Sequence, residues 1–183
     1  MIIDPKKLVR IFEDLGKRLT KPATICVIGS APGNASGQPD RQSRAIDVWQ
    51  GKSNFDETDF RTACVALGLW YDPREAVAPD AVPVRIIGPD VVRLTEDFDV
   101  EVLGQYGNLS VVMPVAALLS AAKLVRGDAR HIEDVAWWMK ERALDLDEIH
   151  AAIGTLPNSI QRETATENIV FVELVAAPGR TPK

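Results

Sequence analysis

Residues Thr24 to Trp49, TICVIGSAPGNASGQPDRQSRAIDVW, decide the reading of this chain. The apolar run Ile25 to Ile28 stops at Gly29-Ser30. Residues 31–44 hold two prolines and two glycines, so they predict a loop or a broken helix. The chain turns apolar again around one carboxylate, Ile46-Asp47-Val48-Trp49. A strand, a tight Gly-Ser turn and a second strand carrying an inward acid together suit phosphate and metal chemistry. Backbone N–H groups at a glycine turn cradle phosphate, and a neighbouring acid can hold Mg²⁺.

Outward from that stretch, both periodicities occur. Asp4-Pro5 is a helix start, and Leu8, Ile11, Phe12, Leu15 and Leu19 follow at helical spacing. Residues 23–28 and 45–49 read as strands. Phe55-Asp56 opens a helix to about Leu67. Gly68 to Pro83 reads as loop. Val84–Ile87 and Val91–Leu94 are short strand candidates about the turn Gly88-Pro89-Asp90. Phe98 to Leu103 alternates apolar and acidic residues, a strand with one polar face, and Leu109 to Met113 is a further strand. From Pro114 onward the pattern is helical: Val115–Val125, Arg130–Arg142, Asp145–Ile153 and Ser159 to about Ala176. The expected class is α+β, a mixed β-sheet core with flanking helices over 1–113. A C-terminal helical bundle over 114–177 and a disordered tail over 178–183 complete it.

The 183 residues carry a net charge of −5, which argues against a broad non-specific nucleic-acid surface while leaving room for a local basic pocket. Hydrophobic residues make up 46%, enough for a core. Cys26 and Cys64 lie in apolar runs and are expected as buried free thiols. No apolar run approaches the roughly 20 residues of a membrane span, and no secretory apolar segment follows Met1. A cytoplasmic location without membrane association is the expectation.

Other residues bear on chemistry directly. Lys123 and Arg126 are helical neighbours, and Arg130 can return to their side beyond Gly127, an arrangement that suits a triphosphate. The competing reading is a surface charge cluster of little energy. Trp137-Trp138, Trp49, Trp70 and Tyr71 could stack bases, although large aromatics more often fill cores or interfaces. His131 and His150 sit in no metal-ligand pattern, and Ser30 has no histidine partner in sequence, which disfavours a serine hydrolase.

The segments Gly29-Ser30, Arg44 to Trp49 (RAIDVW), Ser53 to Asp56 (SNFD), Asn108 to Pro114 (NLSVVMP) and Ala122 to Trp138 (AKLVRGDARHIEDVAWW) resemble the nucleotidyltransferase superfamily. The likeness is nearest to a bacterial branch found in toxin–antitoxin and abortive-infection operons, and it spans nearly the whole chain. It implies a nucleotidyltransferase-like core that moves a nucleoside monophosphate from a Mg²⁺-bound nucleoside triphosphate to RNA or protein. By that likeness Asp47 and Glu101 bind metal. Asp47, Asp99, Glu101 and Lys123 are the catalytic set. Gly29, Ser30, Arg44, Lys123, Arg126 and Arg130 hold the nucleotide, and Glu133 and Asp134 match later family acids. One departure weakens the implied activity: the family pattern places an acid where Ala45 stands. Two-metal chemistry needs bridging carboxylates, and this chain lacks one of them. The alternative is a catalytically inactive antitoxin or interaction partner of the same fold, working with a toxin, antitoxin or regulator encoded nearby. A structural subunit without ligand is the third reading. Asp47 as a solvated strand acid, and Asp99 and Glu101 as an exposed edge-strand face, remain open beside these roles.

Overall fold

The computed structural model describes residues 2–75, 78–92, 94–95 and 97–176. The protein is α+β, with a mixed six-stranded sheet and seven helices among those residues. It divides into two compact units. One takes the described residues up to Val92 and Asp99–Pro114. The other takes the described residues of the intervening stretch and those from Val115 onward.

The first unit begins with α1, Pro5–Arg18. Asp4 caps it by accepting from the Lys7 N–H at 2.8 Å, and Pro5 fills the first turn. Its apolar stripe buries Leu8, Phe12 and Leu15. β1, Ala23–Ile28, follows and is buried along almost its whole length. The loop beyond it contains a single five-residue helix, α2, Ala31–Ala35. β2 runs Ile46–Asn54, α3 Glu57–Ala66, β3 Leu69–Tyr71 and β4 Val82–Ile87. β5, Val100–Tyr106, and β6, Leu109–Pro114, close the unit as a hairpin. The strand order is β3-β4-β2-β1-β6-β5.

β2 and β1 are antiparallel, with Ile28 opposite Asp47 and Cys26 opposite Trp49. The register slips between Thr24 and Cys26. Ser53 Oγ fills the resulting gap: it accepts from the Cys26 N–H at 2.9 Å and donates to the Trp49 carbonyl at 2.6 Å. β1 runs parallel to β6, and β2 parallel to β4. Side chains alternate between faces, so Cys26, Ile28, Asp47, Trp49 and Val112 share one face while Ile25, Val27, Ile46, Val48 and Met113 share the other. α1 rests on the second face at β5 and β6, where Phe12 packs against Tyr106 at 5.9 Å between ring centroids. α3 sits by β3 on the same side, with Phe60 between Phe55 and Tyr71.

Two polar clamps hold these layers. The Asp59 carboxylate accepts from the Thr20 N–H, the Thr20 hydroxyl and the Lys21 N–H, tying the α1–β1 loop to α3. Asn108 Nδ2 donates to the Leu19 carbonyl at 2.7 Å, and the Asn108 N–H donates to the Gly16 carbonyl at 3.2 Å. The end of α1 is thereby seated on the β5–β6 turn.

The second unit is helical: α4, Ala116–Leu124; α5, Ala129–Arg142; α6, Leu146–Thr155; and α7, Ser159–Ala176. Asp128 caps α5, and Asp145 with Glu148 forms a capping box on α6. Leu118, Leu119, Leu124, Val135, Trp138, Ile149, Ile153, Ile169 and Val172 make its core.

Several expectations need correction. β3 lies where a loop was expected, and β2 continues five residues past Trp49. β4 starts at Val82, ahead of Pro83, whose missing N–H is tolerated next to a three-residue edge strand. Val91, Val92 and Leu94 are not in a strand; the Val92 carbonyl accepts from Trp49 Nε1 at 3.2 Å. The strand expected from Phe98 begins at Val100. The disordered tail expected over 178–183 lies outside the described residues. Both cysteines are buried free thiols, and burial pushes each up to about 12.

Candidate functional site

The Gly29-Ser30 turn and Asp47 do come together. Gly29 has φ +70, and a Cβ placed there would lie 2.9 Å from Asp47 Oδ2. Glycine is needed for both reasons: the left-handed backbone and the close carboxylate. Ser30 Oγ donates to Ser43 Oγ at 3.0 Å. Buried Asn34 donates through Nδ2 to the same oxygen at 3.2 Å and to the Ile3 carbonyl at 2.8 Å. Ile3 and Ser43 also exchange backbone hydrogen bonds. The polar loop is thus stitched to the segment before α1.

Asp47 has a partner that sequence reading did not single out. Arg85 stands beside it on β4, and the guanidinium grips it twice, Nε to Oδ1 at 2.6 Å and Nη2 to Oδ2 at 2.9 Å. Such a fork matches a carboxylate geometrically and engages both oxygens. The signal was available in principle, since Asp47 and Arg85 each sit two residues into an apolar run.

The remaining candidate acids do not join Asp47. Glu101 stands opposite Met113 on β5, so it belongs to the face opposite Asp47. It is also three strands away, about 14 Å at about 4.8 Å per spacing. Asp99 is exposed and precedes β5, and Asp97 is likewise outside the strand. Ala45 is 7% exposed, a buried methyl in the bend just before β2, outside the strand expected over 45–49 and where an acid was expected. Among the described residues no three His, Cys, Asp or Glu side chains are grouped for a metal ion. Asp47 is engaged by Arg85 and Glu101 lies across the sheet, so these donors do not fit a two-metal centre. Arg44 is exposed.

Lys123 lies in the helical unit and is 6% exposed. Its Nζ donates to Asp134 Oδ2 at 2.6 Å, and Asp134 is 1% exposed. The pair joins α4 to α5 through the interior. Arg126 and Arg130 are exposed beyond the end of α4 and on the first turn of α5. Glu133 is exposed. Trp138 is fully buried, with Trp137 against it edge-on at 4.6 Å, and Trp49 is buried as well. His150 is exposed.

His131 is held below its ordinary value by burial first and then by the Lys123 charge; Arg126 acts in the same direction, and Asp128 and Asp134 oppose it. Its Nδ1 lies 3.0 Å from Asp128 Oδ2. The folded protein therefore favours neutral His131, and unfolding takes up a proton in mild acid. The stability this contributes is present above the unfolded histidine value and drains away as pH falls through the lower folded one. The melting midpoint of the helical unit should drop as pH falls below the ordinary histidine value of about 6.5. The drop should shrink in His131→Gln, and equal slopes for the two proteins would remove His131 as its source.

Comparison of the chain with protein-family models, curated proteins and solved structures returned no match. No helix among the described residues is long and apolar enough to cross a membrane.

Proposed function

We propose that this chain is a nucleotidyltransferase-like protein that has exchanged catalysis for binding, acting as the non-catalytic interaction partner of a toxin–antitoxin type pair. The single observation that carries the reading is the Arg85 fork on Asp47. In the resembled chemistry that carboxylate would hold Mg²⁺. Here a cation of the protein stands in its place, on a neighbouring strand, with both oxygens engaged. The buried methyl of Ala45 and the interior engagement of Lys123 by Asp134 point the same way.

The test is incubation of the protein with each labelled nucleoside triphosphate, Mg²⁺ and total RNA or lysate. No label should move to either acceptor, and calorimetry should show no Mg²⁺-dependent nucleotide binding. Mg²⁺-dependent transfer by the chain as it stands would overturn the proposal.

One observation favours the second reading, a weakened transferase of nucleoside monophosphate to RNA or protein: Gly29 lies directly against Asp47, as a phosphate turn beside a metal acid requires. If that reading holds, Ala45→Asp with Arg85→Ala frees Asp47 and supplies the second acid. Transfer should then rise by orders of magnitude, because transition-state charge stabilisation depends on preorganised metals. On the first reading the double variant stays silent.

A further inference from the structure

α7 carries apolar residues on two sides, and the fold buries only one of them. Ala165, Ile169 and Val172, spaced by four and then three residues, face the core of the helical unit. On the other side Val170, Phe171, Leu174 and Val175 are each between 51% and 55% exposed. Phe171 stands a turn from both Leu174 and Val175, and Val170 a turn from Leu174, so the four side chains adjoin. Single exposed apolar residues are ordinary on a protein surface, whereas an adjoining group of large ones marks a contact surface.

Charge says what covers it. Glu167 and Glu163 continue the same side of α7, one and two turns before Phe171, and both are exposed. Like charges four residues apart on a helix repel, and no described residue pairs with either carboxylate. The complementary charges belong to this same chain. Arg180 and Lys183 follow α7 in the sequence, and residues 177–183 contain no Asp or Glu. Two copies of α7 laid side by side in parallel would set Glu163 against Glu163 and Glu167 against Glu167. Laid antiparallel, with Phe171 opposite Leu174 and Val170 opposite Val175, each copy directs its basic end toward the other's acids. The reach suffices: Glu163 lies about 10 Å along the helix from Val170, at about 1.5 Å per residue. Residues 177–183 can span up to about 23 Å, at about 3.3 Å each.

We propose that the exposed face of α7 pairs antiparallel with the same face of a second copy of this chain. Phe171 of each copy packs on Leu174 of the other, Val170 packs on Val175, and Arg180 and Lys183 of each neutralise Glu163 and Glu167 of the other. Every contact then occurs twice about a two-fold axis. One helix face per copy is a small interface, at or below about 1,200 Å² in total, so the dimer is weak and depends on concentration.

Sedimentation equilibrium of the full chain across the micromolar range is the test, and it should show a monomer–dimer equilibrium. Phe171→Ser with Leu174→Ser, both at exposed positions, should weaken the dimer at least about tenfold. Glu163→Lys with Glu167→Lys should weaken it by setting basic helix against basic end. Arg180→Glu with Lys183→Glu should weaken it in the opposite sense, acid against acid. The chain carrying all four charge reversals should dimerise again, because each helix once more faces the opposite charge. Dimerisation of the parent should weaken as salt rises. A monomer at every concentration, or a dimer indifferent to the two serines, overturns the proposal. A dimer that the four reversals together do not restore overturns the antiparallel arrangement. Circular dichroism of each variant separates lost pairing from lost fold. The pairing stands apart from the proposed function: nucleotidyl transfer would sink the non-catalytic reading and leave the dimer, and a monomer would sink only the dimer.

Discussion

Gly16→Ala should destabilise the sheet-bearing unit by about 3 kcal/mol. For a chain of this size that is a fall of roughly 6–12 °C in melting midpoint. Alanine normally stabilises a helix interior over glycine by roughly 0.5–1 kcal/mol, so propensity alone predicts the opposite sign. Contact decides. A Cβ at Gly16 would come within 1.6 Å of the Tyr106 carbonyl oxygen and 2.6 Å of its carbon. These are backbone atoms of the β5–β6 turn, and that turn is fixed by the Asn108 hydrogen bonds to Gly16 and Leu19. Neither side can yield cheaply. Gly154 in α6 supplies the contrast, because a Cβ there meets nothing within 4 Å. Gly154→Ala should raise the midpoint slightly. Thermal melts of the two variants beside the parent check both signs, and a stable Gly16→Ala protein would show that α1 is not seated on the turn.

Gly16 also shows what the sequence conceals. Its place on the buried stripe of α1 follows from spacing, but the turn that presses on it lies some ninety residues further on. The long periodic helices and the bounded apolar runs were legible: α1, β1, β6 and the four C-terminal helices stand within about two residues of their expected bounds. β3 was not legible. Three residues between Gly68 and Asp72 cannot display a period, and pairing to β4 is what makes them a strand. At the candidate site, the nearness of Gly29 and Asp47 follows from two neighbouring strands, with the end of β1 opposite the start of β2 across the polar loop. The partners of the charged groups do not, because they depend on register. The pairing of β2 with β4 sets Arg85 beside Asp47, and β5 opposite β6 turns Glu101 to the other face. A motif names which acids exist, whereas the sheet decides which of them meet.

Lys123→Met should cost about 3–5 kcal/mol, the largest single effect expected in the helical unit. The substitution keeps the length and apolar stem of the side chain but leaves the Asp134 carboxylate, 1% exposed, without its 2.6 Å partner. An uncompensated buried charge is what makes such breakage expensive. Asp134→Leu alone should cost a similar amount by removing the carboxylate that lies 2.6 Å from the buried ammonium. The double variant Lys123→Met with Asp134→Leu should recover most of the loss, because two apolar groups of comparable volume replace two desolvated charges. The cycle separates the two roles open to Lys123. A lysine that serves a triphosphate would give nearly additive stability losses of small size and a loss of nucleotide binding. A lysine that locks α4 to α5 gives large single losses, strong coupling between the two positions and no change in any ligand affinity. Denaturant melts of the four proteins measure the coupling directly. Small, additive losses would return Lys123 to the nucleotide, and large coupled ones leave it as the interior tie between the two helices.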